Sequence, residues 1–235
     1  AKGKSHLRAA KLSNTKKTST LPKHKLPASD AKDPKTYHFD PKHNKILILS
    51  DTHFPYHNIP AIEAAVDYGL QNKVNTILLN GDVIDMHHQS KFQPDPRKRD
   101  TKTEFNKTRE FLEYLRGNFP KAKIVWAEGN HDARWPRWLS RHALEIFNDE
   151  YFSLQKRLDL DNLNIEFLHD NNMMYAGKLT ITHGHKIVTG AFSNPVNPAR
   201  GLYLRTKSSH LTGHFHQISE HTETNIHGEI ATCFT

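Results

Sequence analysis

From Lys45 onward, short apolar runs alternate with amphipathic stretches along the chain. Ile46 to Leu49 is an unbroken apolar run of strand length. Ile59 to Leu70 puts Ile62, Ala65, Val66, Gly69 and Leu70 on one helical face, and Thr76 to Leu79 is strand-like again, which makes a βαβ unit. Thr103 to Arg116 spaces Phe105, Phe111, Leu112 and Leu115 for a second helix, with Gly117 placed as its terminator. Ile124 to Ala127 predicts a third strand, and Pro136 to Phe147 a third helix, because proline is tolerated in a first turn. Further strands are predicted at Asn164 to Leu168, Met173 to Ala176 and Leu179 to Thr182. A helix is expected within Asn194 to Lys207, then a short strand around His210 to Thr212 and a hairpin of Ile218 to Thr222 with Glu229 to Phe234. The order is that of one α/β domain.

Charge changes this picture at the amino terminus. The 235 residues carry a formal net charge of +8. Residues 1 to 45 hold 12 Lys or Arg against 3 Asp, a net of +9, so the remaining 190 residues have a net charge of −1. Residues 1 to 44 are poor in large apolar residues and have no helical or alternating period, so they read as a flexible basic tail ahead of a domain over 45 to 235. Two readings of the tail stand side by side: an arm for a phosphate backbone, or a solvated leader. No apolar run reaches membrane-spanning or signal-peptide length, so a cytoplasmic protein without membrane contact is expected. The chain begins with Ala and stops inside an apolar run, as a segment of a longer protein would. The single cysteine, Cys233, excludes an internal disulfide framework and a cysteine-based zinc knuckle.

Any metal chemistry must therefore use His, Asp and Asn, and the apolar runs end in these residues. "ILILSDTH" presents Asp51 and His53, "TILLNGDVID" Asp82 and Asp85, and "IVWAEGNHD" Asn130, His131 and Asp132. "LTITHGH" presents His183 and His185, and "HLTGHFH" His214 and His216. Singly, a Gly-Asp is usually a turn and a His-x-His a surface pair. In a parallel α/β sheet, however, the carboxyl ends of the strands share one edge, so the five termini converge on one crevice. Carboxylate, imidazole and amide oxygen without thiolate suit Mn first, with Fe, Zn or Ni as alternatives. A bridging carboxylate, Asp82, would hold two such ions about 3.5 to 4 Å apart, the spacing that clamps both oxygens of a phosphoryl transfer.

The ordered set D-x-H, GD-x-x-D, GNHD, HGH and GH-x-H over residues 46 to 216 resembles the calcineurin-like metallophosphoesterase superfamily. The resemblance implies a four-layer αββα sandwich and a hydrolase with two divalent transition metals. By the same resemblance, Asp51, His53 and His216 hold the first metal, Asn130, His183 and His214 the second, and Asp82 both. His131 would contact the substrate phosphate and assist the leaving group, oriented by Asp85, with Asp132 the competitor for that role. A metal-bridging hydroxide would be the nucleophile. His185 is either outer support or solvated.

The expected substrate is a phosphodiester of nucleic acid, DNA or RNA, with a small phosphoester as the alternative and a non-catalytic binding module as the third reading. Protein phosphatases of the superfamily continue the second block with Arg-Gly, where this chain has Met86 and His87. Asn171 to Ser219 contains Lys178, Lys186, Arg200, Arg205 and Lys207 without one acidic residue. "ARWPRW" interleaves Arg134, Trp135, Arg137 and Trp138, a mix suited to stacking on bases and clamping phosphate. Against this, tryptophans at i and i+3 in an amphipathic helix usually belong to the core. Arg134, Arg137, Arg200 and Arg205 are the candidate substrate-binding residues. "SDTHFPYH" and the loop ending in "GHFHQ" more loosely resemble bacteriophage phosphoesterases, which would place the protein in a bacterial cytoplasm.

Overall fold

The computed structural model describes residues 26–31, 35–92, 95, 97, 100–169, 173–187 and 196–235. The chain divides into Ala1–Asp33 and Pro34–Thr235. In the first unit, the described residues 26–31 are exposed, and the Ala31 N–H donates to Ser29 Oγ at 3.1 Å. Most of the expected basic tail lies outside the described residues.

Among the described residues, the second unit holds ten strands: β1 (Thr36–His38), β2 (Ile46–Leu49), β3 (Thr76–Asn80), β4 (Lys123–Ala127), β5 (Ile165–Leu168), β6 (Met173–Ala176), β7 (Leu179–Thr182), β8 (His210–Thr212), β9 (Glu220–Thr224) and β10 (Ile230–Phe234). Its α-helices are α1 (Ile59–Gln71), α2 (Thr101–Asn118), α3 (Arg134–His142), α4 (Leu154–Arg157) and α5 (Pro198–Thr206). β2-β3-β4-β5 form an all-parallel sheet, and β1-β6-β7-β8-β10-β9 a mixed one.

Strand alternation sorts the apolar residues into layers. Ile77 and Leu79 of β3 and Ile124 and Trp126 of β4 pack toward Val66 of α1 and Phe111, Leu112 and Leu115 of α2. The intervening Leu78 and Val125 face the other way, against Met174 and Ile181 of the second sheet. A third cluster seats Ala199, Leu202 and Tyr203 of α5 on Cys233 of β10. Helices, sheet, sheet and helix thus form the four layers. Among the described residues, no helix is long and apolar enough to cross a membrane.

The helix starts follow capping chemistry. Asn58, Asp100 and Asn197 accept from Ala61 N, Thr103 N and Arg200 N, and α1 and α5 carry proline in the first turn. Several expected boundaries move. β1 lies ahead of Lys45 and pairs in parallel with β6, so sheet structure begins within the stretch read as tail. α2 runs through Gly117 to Asn118, stopping at buried Phe119 before Pro120, because the residue before a proline avoids helical backbone. α3 starts two residues before Pro136 and ends at His142, whose Nδ1 hydrogen-bonds the Trp138 carbonyl at 3.0 Å. The α5 helix occupies the later part of its expected span; Asn194 and Pro195 lie outside the described residues.

Candidate metal centre

The ligand-bearing residues follow the carboxyl ends of β2, β3, β4, β7 and β8, and their backbone is unusual. Asp51, His53, Asp82, His214 and His216 all have φ between 47° and 72°, a left-handed region that non-glycine residues enter at a cost of order 1–3 kcal/mol each. The strands hold these turns in place: Asp51 N donates to Gly81 O, and His53 N to Asp82 O. Two glycines permit the close approach. A Cβ on Gly129 would stand 2.2 Å from Asp82 Oδ1, and one on Gly213 would stand 2.3 Å from Asp51 Oδ2 and 1.8 Å from Ser50 Oγ. The glycines of GNHD and GH-x-H are therefore required by backbone-to-ligand packing.

In the first cluster, Asp51, His53 and His216 each bring a ligand atom within 4.8 Å of the others. His53 Nδ1 lies 2.9 Å from Asp85 Oδ1, an acceptor, so Nδ1 carries the proton and Nε2 offers a lone pair. That lone pair faces His216 Nε2 at 3.1 Å, and His216 Nε2 is 3.4 Å from Asp51 Oδ1. Asp51 Oδ1 is buried without a hydrogen-bond partner, while Oδ2 accepts from His214 N at 2.8 Å.

The second cluster repeats the logic. His183 Nδ1 donates to Asn80 O at 2.9 Å, which leaves Nε2 facing Asp82 Oδ2 at 3.1 Å and Asn130 Oδ1 at 3.2 Å. Asp82, His183 and His214 again form a ligand-competent triplet. Such converging lone pairs suit a cation between them, and the two nitrogens that donate to Asp85 and Asn80 fix the imidazoles for one. With protons alone, burial opposes charge on His183, yet the hydrogen bond and charge of Asp82 outweigh it and raise His183 to about 9. Burial likewise opposes the charge of Asp82, but His183 and His131 hold its carboxyl far below the usual range. Asp82 Oδ2 stands between the clusters, 3.1 Å from His183 Nε2 and 4.0 Å from His53 Nε2. The donor set fits two divalent ions sharing Asp82.

His131 stands beside these ligands. Its backbone N donates to Asp82 Oδ1 at 2.7 Å, and its Nδ1 lies 2.9 Å from Asp85 O and 3.0 Å from Asp85 Oδ1. Asp85 thus serves His53 and His131 together, and His87 Nδ1 approaches its Oδ2 at 3.7 Å. Burial opposes its charge, but the hydrogen bonds and charges of His131 and His53 keep its carboxyl well below the usual range.

Asp132 requires a correction. Fully buried, it turns away from His131 and accepts from Asp82 N, Val83 N, Ile84 N, Gly129 N and Trp126 Nε1 at 2.8 to 3.2 Å. Five donors face it and favour its charged form, although burial and the Asp82 charge outweigh them and raise its carboxyl to about 6; it organises the two ligand loops and leaves the orientation of His131 to Asp85. The tryptophans also differ from the stacking reading. Trp135 packs edge-on to Phe105 and donates to Phe152 O, while Trp138 stacks between Trp135 and His142 at 5.8 and 5.1 Å. Trp138 already stacks on two rings of its own helix, so the pair consolidates α3.

A cleft of about 520 Å³ adjoins the first cluster, lined by Asp51, His53, Asp85, His131 and His216 on one side and by Tyr56, His57, Ala61 and Ile62 on the other. Arg134 reaches its wall through His131 and Asp85. Arg137, Arg200 and Arg205 are exposed and do not line it.

Glu104 escaped the sequence reading. It is buried on α2, its Oε1 accepts from His87 N at 3.0 Å, and burial raises its carboxyl to about 7 despite that N–H, helped by the Asp85 charge. The available signal was a carboxylate directly before Phe105, on the apolar stripe it shares with Thr108, Phe111, Leu112 and Leu115.

Residues 44–227 match the family model described as calcineurin-like phosphoesterase. No curated protein matches this chain.

Proposed function

Because the chain belongs to the calcineurin-like phosphoesterases, and so is a metal-dependent phosphoester hydrolase, we propose that its substrate is a phosphodiester of DNA or RNA, cleaved beside the cleft bounded by His131 and the start of α1. The observation that carries this reading is the cleft. At about 520 Å³ it falls within the range of about 300–1,000 Å³ for ligand-binding clefts. Leu49, Ala61, Ile62 and the Tyr56 ring give it apolar wall, and no lysine or arginine lines it. Such a wall suits a sugar and base on the leaving side better than a phosphorylated side chain with charged neighbours.

Bound as a pair, two divalent ions would supply Lewis acidity and an activated water. The chain's own residues hold and orient: Asp82 joins the two clusters, Asp85 aims His53 and His131, and Asp132 fixes the loops. His131, which lines the cleft beside the first cluster, is the group we assign to the leaving oxygen. The basic amino-terminal stretch, net +9 over residues 1 to 45, supplies the long-range attraction to phosphate that the rest of the chain, at −1, lacks. That near-neutral charge favours a second reading, a small phosphoester.

Manganese-dependent turnover of bis-p-nitrophenyl phosphate against p-nitrophenyl phosphate, followed by labelled single- and double-stranded DNA and RNA, separates the readings. The diester and at least one nucleic acid should be preferred. Removing residues 1 to 33 should leave small-diester turnover intact and flatten the salt dependence of nucleic-acid binding, by about 0.9 unit of log-log slope for each duplex phosphate that the tail neutralises. Preference for the monoester, with no polymer cleaved, would move the assignment to the second reading.

A further inference from the structure

Arg134 is the first residue of α3, and its half-buried guanidinium makes two directed hydrogen bonds. One terminal nitrogen donates to the Asp85 carbonyl at 2.9 Å, and the other lies 2.9 Å from His131 Nε2. A guanidinium only donates, so His131 Nε2 must accept. The partners of His131 Nδ1, the carbonyl and carboxylate oxygens of Asp85, only accept, so Nδ1 carries the proton. His131 is thus held as one tautomer, and the ring nitrogen closer to the ligands, 3.8 Å from Asp82 Oδ2, is covered by a cation. The position after Asp85 supplies no cation, because Met86 there is buried in the core.

We infer that Arg134 is the phosphate-gripping residue of this site, and that substrate phosphate takes over the guanidinium nitrogen that otherwise covers His131 Nε2. The second nitrogen keeps its hold on the Asp85 carbonyl, so the fork pivots without leaving the site. Phosphate binding then uncovers His131 toward the leaving oxygen, and binding and positioning share one residue. A forked donor matches two phosphate oxygens in a way a lysine cannot. The inference holds for monoesters and diesters alike, so it is independent of the nucleic-acid reading.

Zinc-loaded protein, which is diamagnetic, tests it with inorganic phosphate as ligand and the p-nitrophenyl esters as substrates. Calorimetry should show that Arg134→Ala weakens phosphate binding about tenfold or more and raises KM for both esters, with Arg134→Lys recovering part of the affinity. Arg141→Ala, on the exposed last turn of α3, should match the parent in both. Nitrogen-15 NMR should place the His131 proton on Nδ1 and show phosphate shifting the Nε2 resonance in the parent, but not in Arg134→Ala or Arg134→Lys. Unchanged phosphate affinity in a folded Arg134→Ala or Arg134→Gln would overturn the inference, even if the His131 resonance moved. Parent-like Nε2 shifts in Arg134→Ala would overturn the exchange of partners.

Discussion

The two ligand clusters use similar side chains in different surroundings. Around Asp82 and His183, the side chains are 1% and 3% exposed, and the imidazole is fixed by a strand carbonyl. Around Asp51 and His216, they are 12% and 58% exposed, and the cleft opens directly onto them. Burial makes the Asp82–His183 cluster costly to leave uncompensated, since an unpaired buried carboxylate is strongly destabilising. Openness makes the Asp51–His216 cluster easy to exchange. Asp82 stands between them and would join a buried site to an accessible one. The expectation is that burial sets which ion the protein keeps and which one a substrate would meet.

The most severe test of this contrast is Asp82→Asn, which removes the shared charge. Metal content should fall at both positions, and turnover should drop on the order of a thousandfold or more, given that losing a mere outer partner of a metal site costs about 10- to 100-fold. Full occupancy of two ions in this variant would end the bridging assignment. His131→Ala should keep both metals and lose about two to four orders of magnitude in turnover, less for p-nitrophenyl than for alkyl esters. Equal losses on the two ester classes would deny it a role at the leaving oxygen.

Metal analysis of single-ligand variants addresses the difference in burial directly. His216→Ala should lose about one ion of two and keep the buried one, and a chelator titration of the parent should release its ions in two steps. Simultaneous release would mean that burial does not separate the clusters. A smaller change concerns Glu104, whose carboxyl is raised to about 7 from the ordinary 4.5. The folded state then binds a proton that the unfolded chain has released, so stability from this group is fully present below about pH 4.5 and is lost as pH rises toward about 7. Glu104→Gln should flatten that slope and raise the unfolding temperature at pH 8, by an amount corresponding to at most about 3 kcal/mol. A parent-like slope would mean that Glu104 is ionised throughout.

Most of the framework is legible in the order of residues alone. Apolar runs of strand length mark β2, β3 and β4, because a parallel strand buried on both faces must be apolar throughout. The same runs, each ending in Asp, Asn or His, name the ligands, since a parallel sheet delivers strand ends to one edge. Local patterning does not reach β1, whose three residues become a strand only by pairing with β6 more than a hundred positions away. Nor can it divide labour among neighbouring residues. His131, Asp132 and Arg134 lie within four positions, yet one faces the ligands, one is sealed among five N–H groups and one covers its neighbour's ring nitrogen. Residue type and spacing record which groups a chain can bring to a site. Which hydrogen bond each makes is settled when β3, β4 and α3 pack, because only then do the donors and acceptors of separate segments come within about 3 Å and choose among themselves.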